Sequence, residues 1–256
     1  MPRSAPSRSA GPARAARGRA LDMAGLRARV EAARIPGSTA RAARARRLLL
    51  AWLDAAAARG VPLHDVVEAM RLGLAAGQVG AALRAEAMRA PPAVVREADC
   101  AAGCAFCCVL DGADGGTVTE AEARAVHAAL GPFAGRPDGR AWHPRACPAL
   151  DPETRMCRAY EARPSLCRSY FSRDREACRA NAEGGAVAGA GMLGSHADAL
   201  AVHAVARAAL RGMARVPTYA LAAVAGAAVA GRDAEAALAA GRHGAGVFEA
   251  TVRGVG

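Results

Sequence analysis

The sequence contains no lysine: all 34 basic residues among its 256 are arginine. Only nine residues are aromatic, too few rings to build a stacking platform for single-stranded nucleic acid. Runs of β-branched residues and alternating apolar–polar patterns are scarce, so little sheet is expected. No stretch supplies the roughly 20 apolar residues that a bilayer span needs. The longest uncharged run near the end, Val216 to Gly231, is short and mostly Ala and Gly. Residues 1–22 lack the apolar core of a secretory signal. Arg46-Arg47 before Leu48-Leu49-Leu50 lies too deep for a twin-arginine signal, and its apolar run stops at Asp54. The expected compartment is therefore the cytoplasm, with no membrane contact. Thiols stay reduced there, and clustered ones bind metal.

The net charge of +11 is concentrated at one end. Residues 1–50 carry twelve Arg against Asp22 and Glu31, and the rest of the chain is close to neutral. Such an arm suits contact with nucleic acid or anionic lipid. More than a quarter of the chain is Ala, however, as when a GC-rich genome writes Ala, Arg, Gly and Pro throughout. The arm reads first as a biased, solvated tail, and nucleic acid through residues 1–50 is the less favoured reading.

Four regions follow from composition and punctuation. Residues 1–22 read as a disordered basic tail. Residues 23–94 read as helical, with Ser38 as an N-cap, a stop at Gly60 and a helix opened by Pro62. That last helix places Val66, Val67, Met70 and Leu74 on one face, and a further helix over Gln78–Arg89 ends at Pro91-Pro92. Residues 95–182 hold every cysteine, and also a capping box, Thr119 with Glu122, that starts a helix to Leu130. Residues 183–256 read as a Gly-rich linker, Gly184 to Gly194, then Ala-rich helices from about Ala197 to Arg211, from Thr218 and from Ala234. The expected fold is mainly α: a small, loop-rich, metal-stapled cysteine module flanked by helical regions.

The chemistry lies in the cysteines. Cys100, Cys104, Cys107 and Cys108 form one close group, and Cys147, Cys157, Cys167 and Cys178 follow at long intervals. A chain this long folds without disulfides, so eight clustered thiols point to soft-metal ligation by zinc or iron–sulfur. Four thiolates per centre is the usual count, and eight allow two centres, or one centre with spare or redox-active thiols. Adjacent Cys107 and Cys108 need not serve one ion. A single Cys-x2-Cys step without a second is poor zinc-knuckle spacing, and Cys147-Pro148 matches the ending of some ferredoxin ligand runs. An iron–sulfur cluster is the favoured cofactor, with zinc as the other. His143, four residues before Cys147, is a spare.

Cys100-x3-Cys104-x2-Cys107-Cys108, Thr119–Glu122, Cys147-Pro148-Ala149-Leu150, Cys157 and Tyr160-x-x-Arg163-Pro164-x-x-Cys167-Arg168 resemble the YkgJ-like cysteine-cluster family, described as zinc- or iron-chelating. The resemblance covers about a third of the chain, roughly residues 97–180. Pro164 suits a helix start, which would put Cys167 in a first turn where free N–H groups favour a thiolate. Tyr160, Arg163 and Arg168 are candidates to support the ligands, Tyr160 by packing over the site or donating to a sulfur. The family includes proteins similar to flagellin lysine N-methylases. Nothing outside the cysteine region matches such an enzyme, so methyl transfer is not carried over.

Two other patterns carry less. Cys100-x3-Cys104-x2-Cys107 with Phe106 also fits the radical-SAM motif, but the mostly helical remainder lacks that family's alternating strands and helices. Gly189-x-Gly191-x-x-Gly194 spells a dinucleotide fingerprint without a preceding strand or a following acid at the right distance, and reads as linker. The functional expectation is a metal-binding protein used in electron transfer or redox sensing with an unidentified protein or redox partner. The alternative is a zinc-stabilised interaction module whose basic arm contacts nucleic acid or protein. Whether the chain is an enzyme stays open.

Overall fold

The computed structural model describes residues 21–109, 114–188, 190–244 and 246–254. All but the last two residues of the expected basic tail lie outside these. The first core is helical. Asp22 caps α1 (Met23–Ala32) by accepting from the Gly25 amide at 2.7 Å, and Ser38 caps α2 (Thr39–Ala58) from the Arg41 amide at 3.4 Å. On α2, Ala42, Ala45, Leu49, Leu53 and Ala56 recur at three- and four-residue steps and form the buried stripe.

α3 (Leu63–Leu72) buries Val66 and Met70 as expected, but Leu74 does not continue that face. Gly73 adopts a left-handed φ of +86°, ends α3 and turns the chain by 73° into α4 (Leu74–Arg89), leaving Leu74 42% exposed. The last helix thus begins at Leu74 rather than Gln78. A side chain at Gly73 would also meet the Thr119 side chain at 2.4 Å, so close approach requires glycine as well. After α4 comes a single turn, α5 (Ala93–Arg96).

The cysteine region contributes β1 (Thr117–Thr119), α6 (Glu120–Leu130), α7 (Ser165–Ser169), β2 (Tyr170–Ser172) and α8 (Arg175–Ala182). The capping box on α6 forms as expected. Beyond it the structure departs from the expected linker, because Ala190–Met192 forms β3, antiparallel to β2 with Tyr170 opposite Met192. Pairing with a partner about 20 residues away overrides the weak local strand propensity. α9 (Gly194–Ala209) then starts earlier than expected. Thr218 begins not a helix but β4 (Thr218–Ala220), antiparallel to β1, before α10 (Leu221–Val229), α11 (Ala234–Gly241) and α12 (Val247–Gly254).

The C-terminal segment is shared between two cores. Ala201, Val202, Val205 and Ala206 of α9 pack among α1 to α4, and α9 approaches α4 so closely that a Cβ at Gly80 would lie 2.9 Å from the Ala199 Cβ. Tyr219, Leu221 and Val224 instead complete a second core with Val126, Leu130 and Leu150 of the cysteine region. One buried carboxylate joins the two. Glu120 accepts from Arg71 of α3 at 2.9 Å, from Arg124 at 2.9 Å and from the Tyr219 hydroxyl at 3.4 Å. Burial opposes its ionisation, but the two guanidiniums outweigh that and hold its pKa below the usual carboxylate range. No single helix among the described residues is long and apolar enough to cross a membrane. α3 and α4 together pass by length and composition, but they are sharply bent and their apolar residues lie in the first core.

Candidate metal centre

Three separate segments bring Cys107, Cys108, Cys147, Cys157 and Cys167 together. In the first, Gly103 (φ +74°) and Ala105 (φ +55°) reverse the chain, and a 3-10 turn over Phe106–Cys108 follows, closed by the Cys108 amide donating to the Ala105 carbonyl at 2.9 Å. The second is a loop in which Leu150 bridges to Cys157. Asp151 ties that loop by accepting from the Thr154 amide and the Arg158 guanidinium, both at 2.9 Å, and these bonds hold its carboxyl well below the usual range. Cys147 and Cys157 stand on the loop's two arms. The Cys147 amide donates to the Cys108 carbonyl at 2.8 Å and fastens this loop to the first segment. The third segment is α7, which carries Cys167.

Cys107, Cys108, Cys147, Cys157 and Cys167 line one cavity of about 170 Å³, whose remaining wall includes Arg163 and apolar Val126, Leu150 and Leu221. Burial pushes the Cys147 and Cys167 thiols up to about 12 and raises Cys157 as well. Cys108 donates a hydrogen bond to Cys107, which raises Cys108 far above the ordinary thiol value and draws Cys107 down to about 7. Arg163 beside the cavity also favours the Cys107 thiolate.

The remaining three thiols lie near Cys107 but do not line this cavity. Cys104 is raised by burial and feels Cys107, Cys178 and Cys100 nearby. Cys100 accepts from the Ser172 amide at 3.4 Å. Burial, together with Cys178, Cys107 and Cys100, pushes the Tyr170 hydroxyl up to about 12. A second cavity, of about 440 Å³, has Cys107, Cys178 and Tyr170 in its wall. Cys107 therefore borders both cavities, whereas Cys108 borders only the smaller one.

All eight cysteines are free thiols. Among the described residues, no three His, Cys, Asp or Glu side chains converge tightly enough to hold an ion where they stand. The donor set nevertheless fits a thiophilic metal group, on two observations. Five soft donors face one space far larger than the roughly 10–15 Å³ a single water needs. The buried Arg163 Nε, in that wall, has no hydrogen-bond acceptor. A thiolate-rich metal group there would supply the missing negative charge.

Two expectations for the supporting residues are corrected. Cys167 does sit in the first turn after Pro164, but its thiol is raised, not lowered. The helix has only five residues, and the Ser165 amide is already taken by Glu122 Oε1 at 2.8 Å, so desolvation of the sulfur prevails. Tyr160 neither lines a thiol cavity nor reaches a sulfur. It is 47% exposed and its ring stacks on the Arg163 guanidinium at 3.8 Å, holding that charge at the cavity wall. Arg168 turns away from the thiols to donate to the Arg163 carbonyl at 2.8 Å, bracing the loop before Pro164. His143 accepts from the Arg145 amide at 3.2 Å and does not line either thiol cavity.

Sequence reading missed the second role of Glu122. Its carboxylate closes the capping box on α6 and also holds the first amide of α7, so one side chain fixes both helix starts. No local signal links positions 43 residues apart.

Loops that gather eight free thiols beside helical cores define a cysteine-rich metal-chelating module. Residues 99–184 match the family model described as "CxxCxxCC: Putative zinc- or iron-chelating domain". The matched segment carries that domain, and the helical flanks lie outside it. No curated protein and no solved structure was found to match the chain.

Proposed function

We propose that the module holds two iron–sulfur clusters, one on Cys108, Cys147, Cys157 and Cys167 and one on Cys100, Cys104, Cys107 and Cys178, and serves electron transfer or redox sensing with a protein partner in the cytoplasm. The observation that carries this reading is the five-thiol cavity, in which no three donors converge on one ion as they stand and whose wall holds an unsatisfied arginine nitrogen. Four thiolates per cluster is the common count. Cys108, Cys147, Cys157 and Cys167 line only the smaller cavity, Cys107 and Cys178 line the larger one, and Cys104 feels Cys107, Cys178 and Cys100 nearby, which supports this division. Bound clusters would supply one-electron chemistry. Cys100 and Cys107 are exposed, which suits exchange with a docked partner. Arg163, held by Tyr160, would offset thiolate charge and so favour the more negative, reduced state.

The test is anaerobic purification followed by visible absorption, metal analysis and acid-labile sulfide on one sample. Iron, sulfide and thiolate-to-iron absorption are expected, with Cys108→Ser and Cys104→Ser each losing about half of the iron. A colourless protein containing zinc and no sulfide refutes the electron-transfer reading and leaves a structural module. Loss of all iron in either variant refutes the division into two centres.

A further inference from the structure

We infer that a groove sharing no residue with either thiol cavity is a binding site for a small phosphate-bearing molecule with an apolar or planar body, the chemistry of a nucleoside phosphate. This groove of about 550 Å³ opens where the α1–α2 turn, the end of α9 and the segment before α12 meet. That volume falls in the range of about 300–1,000 Å³ typical of small-molecule sites. Five arginines line it, Arg34, Arg207, Arg211, Arg215 and Arg242, the last with its guanidinium also 5.9 Å over the Tyr219 ring. Glu249 is the one acid among its lining residues. None of the five arginines is salt-bridged to a carboxylate among the described residues, although elsewhere Arg71, Arg124, Arg140 and Arg158 are.

Capping of the α9 C-terminus does not account for them. Arg29 already donates to the Ala209 and Arg211 carbonyls, both at 2.6 Å, so the orphan acceptors there are met from outside the groove. Arg207, Arg211 and Arg215 follow at four-residue intervals along the end of α9 and the turn beyond it, and all three line the groove, where one anion could meet them together. Guanidinium forks pair with phosphate oxygens in two-point fashion. The floor is of different character. Half-buried Ile35 and Pro36 offer apolar surface that a ligand can still cover, whereas Phe248 and Val252 are already buried, with Arg207 5.6 Å over the Phe248 ring. Charged walls over an apolar floor match a ligand with phosphate at one end and an apolar body at the other.

Calorimetric titration of the full-length protein with adenosine diphosphate, and separately with inorganic pyrophosphate, tests this at fixed ionic strength. Saturable binding is expected, tighter for the nucleotide because only it covers the floor. The double variant Arg207→Gln/Arg211→Gln should weaken nucleotide binding by at least about tenfold, the scale of one or two lost charged hydrogen bonds. Arg47→Gln/Arg59→Gln, which removes two exposed arginines outside the groove, should leave it unchanged, and melting curves of all variants should coincide with that of the parent. Absence of saturable binding, pyrophosphate binding as tightly as the nucleotide, or equal weakening in both double variants overturns the proposal. So does a single-stranded oligonucleotide that binds far more tightly than the nucleotide in a groove-dependent way, because the ligand would then be a polymer. These outcomes are independent of the metal found in the cysteine module.

Discussion

Glu122 is the side chain whose loss should separate the module's helix-capping energy from its metal-site architecture. Its Oε2 accepts from the Thr119 amide at 2.9 Å and the Thr119 hydroxyl at 3.0 Å, and its Oε1 accepts from the Ser165 amide at 2.8 Å. Thr119→Val keeps the shape at α6 but removes its hydroxyl cap, at a cost of about 1 kcal/mol. Glu122→Ala removes the reciprocal half of that box and also strands the Ser165 amide. A part-buried hydrogen bond to a charged group is worth about 1.5–3 kcal/mol, so Glu122→Ala should cost about 2.5–4 kcal/mol in all. Glu122→Gln has one acceptor oxygen where two are used, so its amide must face either the Thr119 or the Ser165 N–H, donor against donor. An intermediate loss of about 1–3 kcal/mol is expected. Urea unfolding followed by circular dichroism measures these differences, and metal retained against a chelator gives a second readout. Glu122→Ala should lose metal faster than the parent, since Cys167 rides on the freed α7, whereas Thr119→Val should not. The reasoning fails if Glu122→Ala and Thr119→Val agree within about 0.5 kcal/mol and release metal at the same rate.

Two further outcomes follow from the charges. In metal-free protein, Arg163→Gln should raise the Cys107 pKa, because it removes a cation that favours the thiolate, and should slow alkylation of Cys107 near neutral pH by a few-fold; an unchanged pH profile of alkylation would sink this account. His196 and His203 are buried and desolvation lowers both to about 4. Between about pH 6.5 and 4 the unfolded chain therefore binds protons that the folded chain refuses, so stability should fall as pH drops through that window, by up to about 3 kcal/mol for each. Neither ring nitrogen of His203 has a hydrogen-bond partner, so His203→Phe should flatten the pH dependence by roughly half, as read from melting temperatures between pH 7 and 4.

What the sequence revealed was set by short-range chemistry. Ser38, the Pro91-Pro92 stop and the Thr119–Glu122 box each act within one helical turn, and each appears where the pattern predicts it. Gly73 escaped notice because an apolar periodicity passes smoothly over it, and only contact with Thr119, 46 positions away, makes a side chain there intolerable. Ala190–Met192 and Thr218–Ala220 have weak strand propensity and exist because β2 and β1 are in place to pair with them. Motif spacing supplied the identity of the cysteines but not their grouping. That grouping depends on the Cys147 amide finding the Cys108 carbonyl and on α7 being held by Glu122, bonds that span 39 and 43 positions.

The same long-range bonds explain why the cysteine module is not a detachable bead. Thr119 sits opposite Thr218 in the β1–β4 pair, and Glu122, which caps that same Thr119, holds the helix of Cys167. Two residues before Thr218, Val216 already belongs to the first core with α9. Free energy gained by closing thiols around a metal therefore acts on α7 first, and through Glu122 and Thr119 it acts on β4, where the two cores are joined. A metal that binds only the folded arrangement stabilises whatever must be folded for the thiols to converge. Here that includes the C-terminal strand and α10, which lie more than 35 positions beyond the last cysteine and complete the apolar core beneath the thiol cavity.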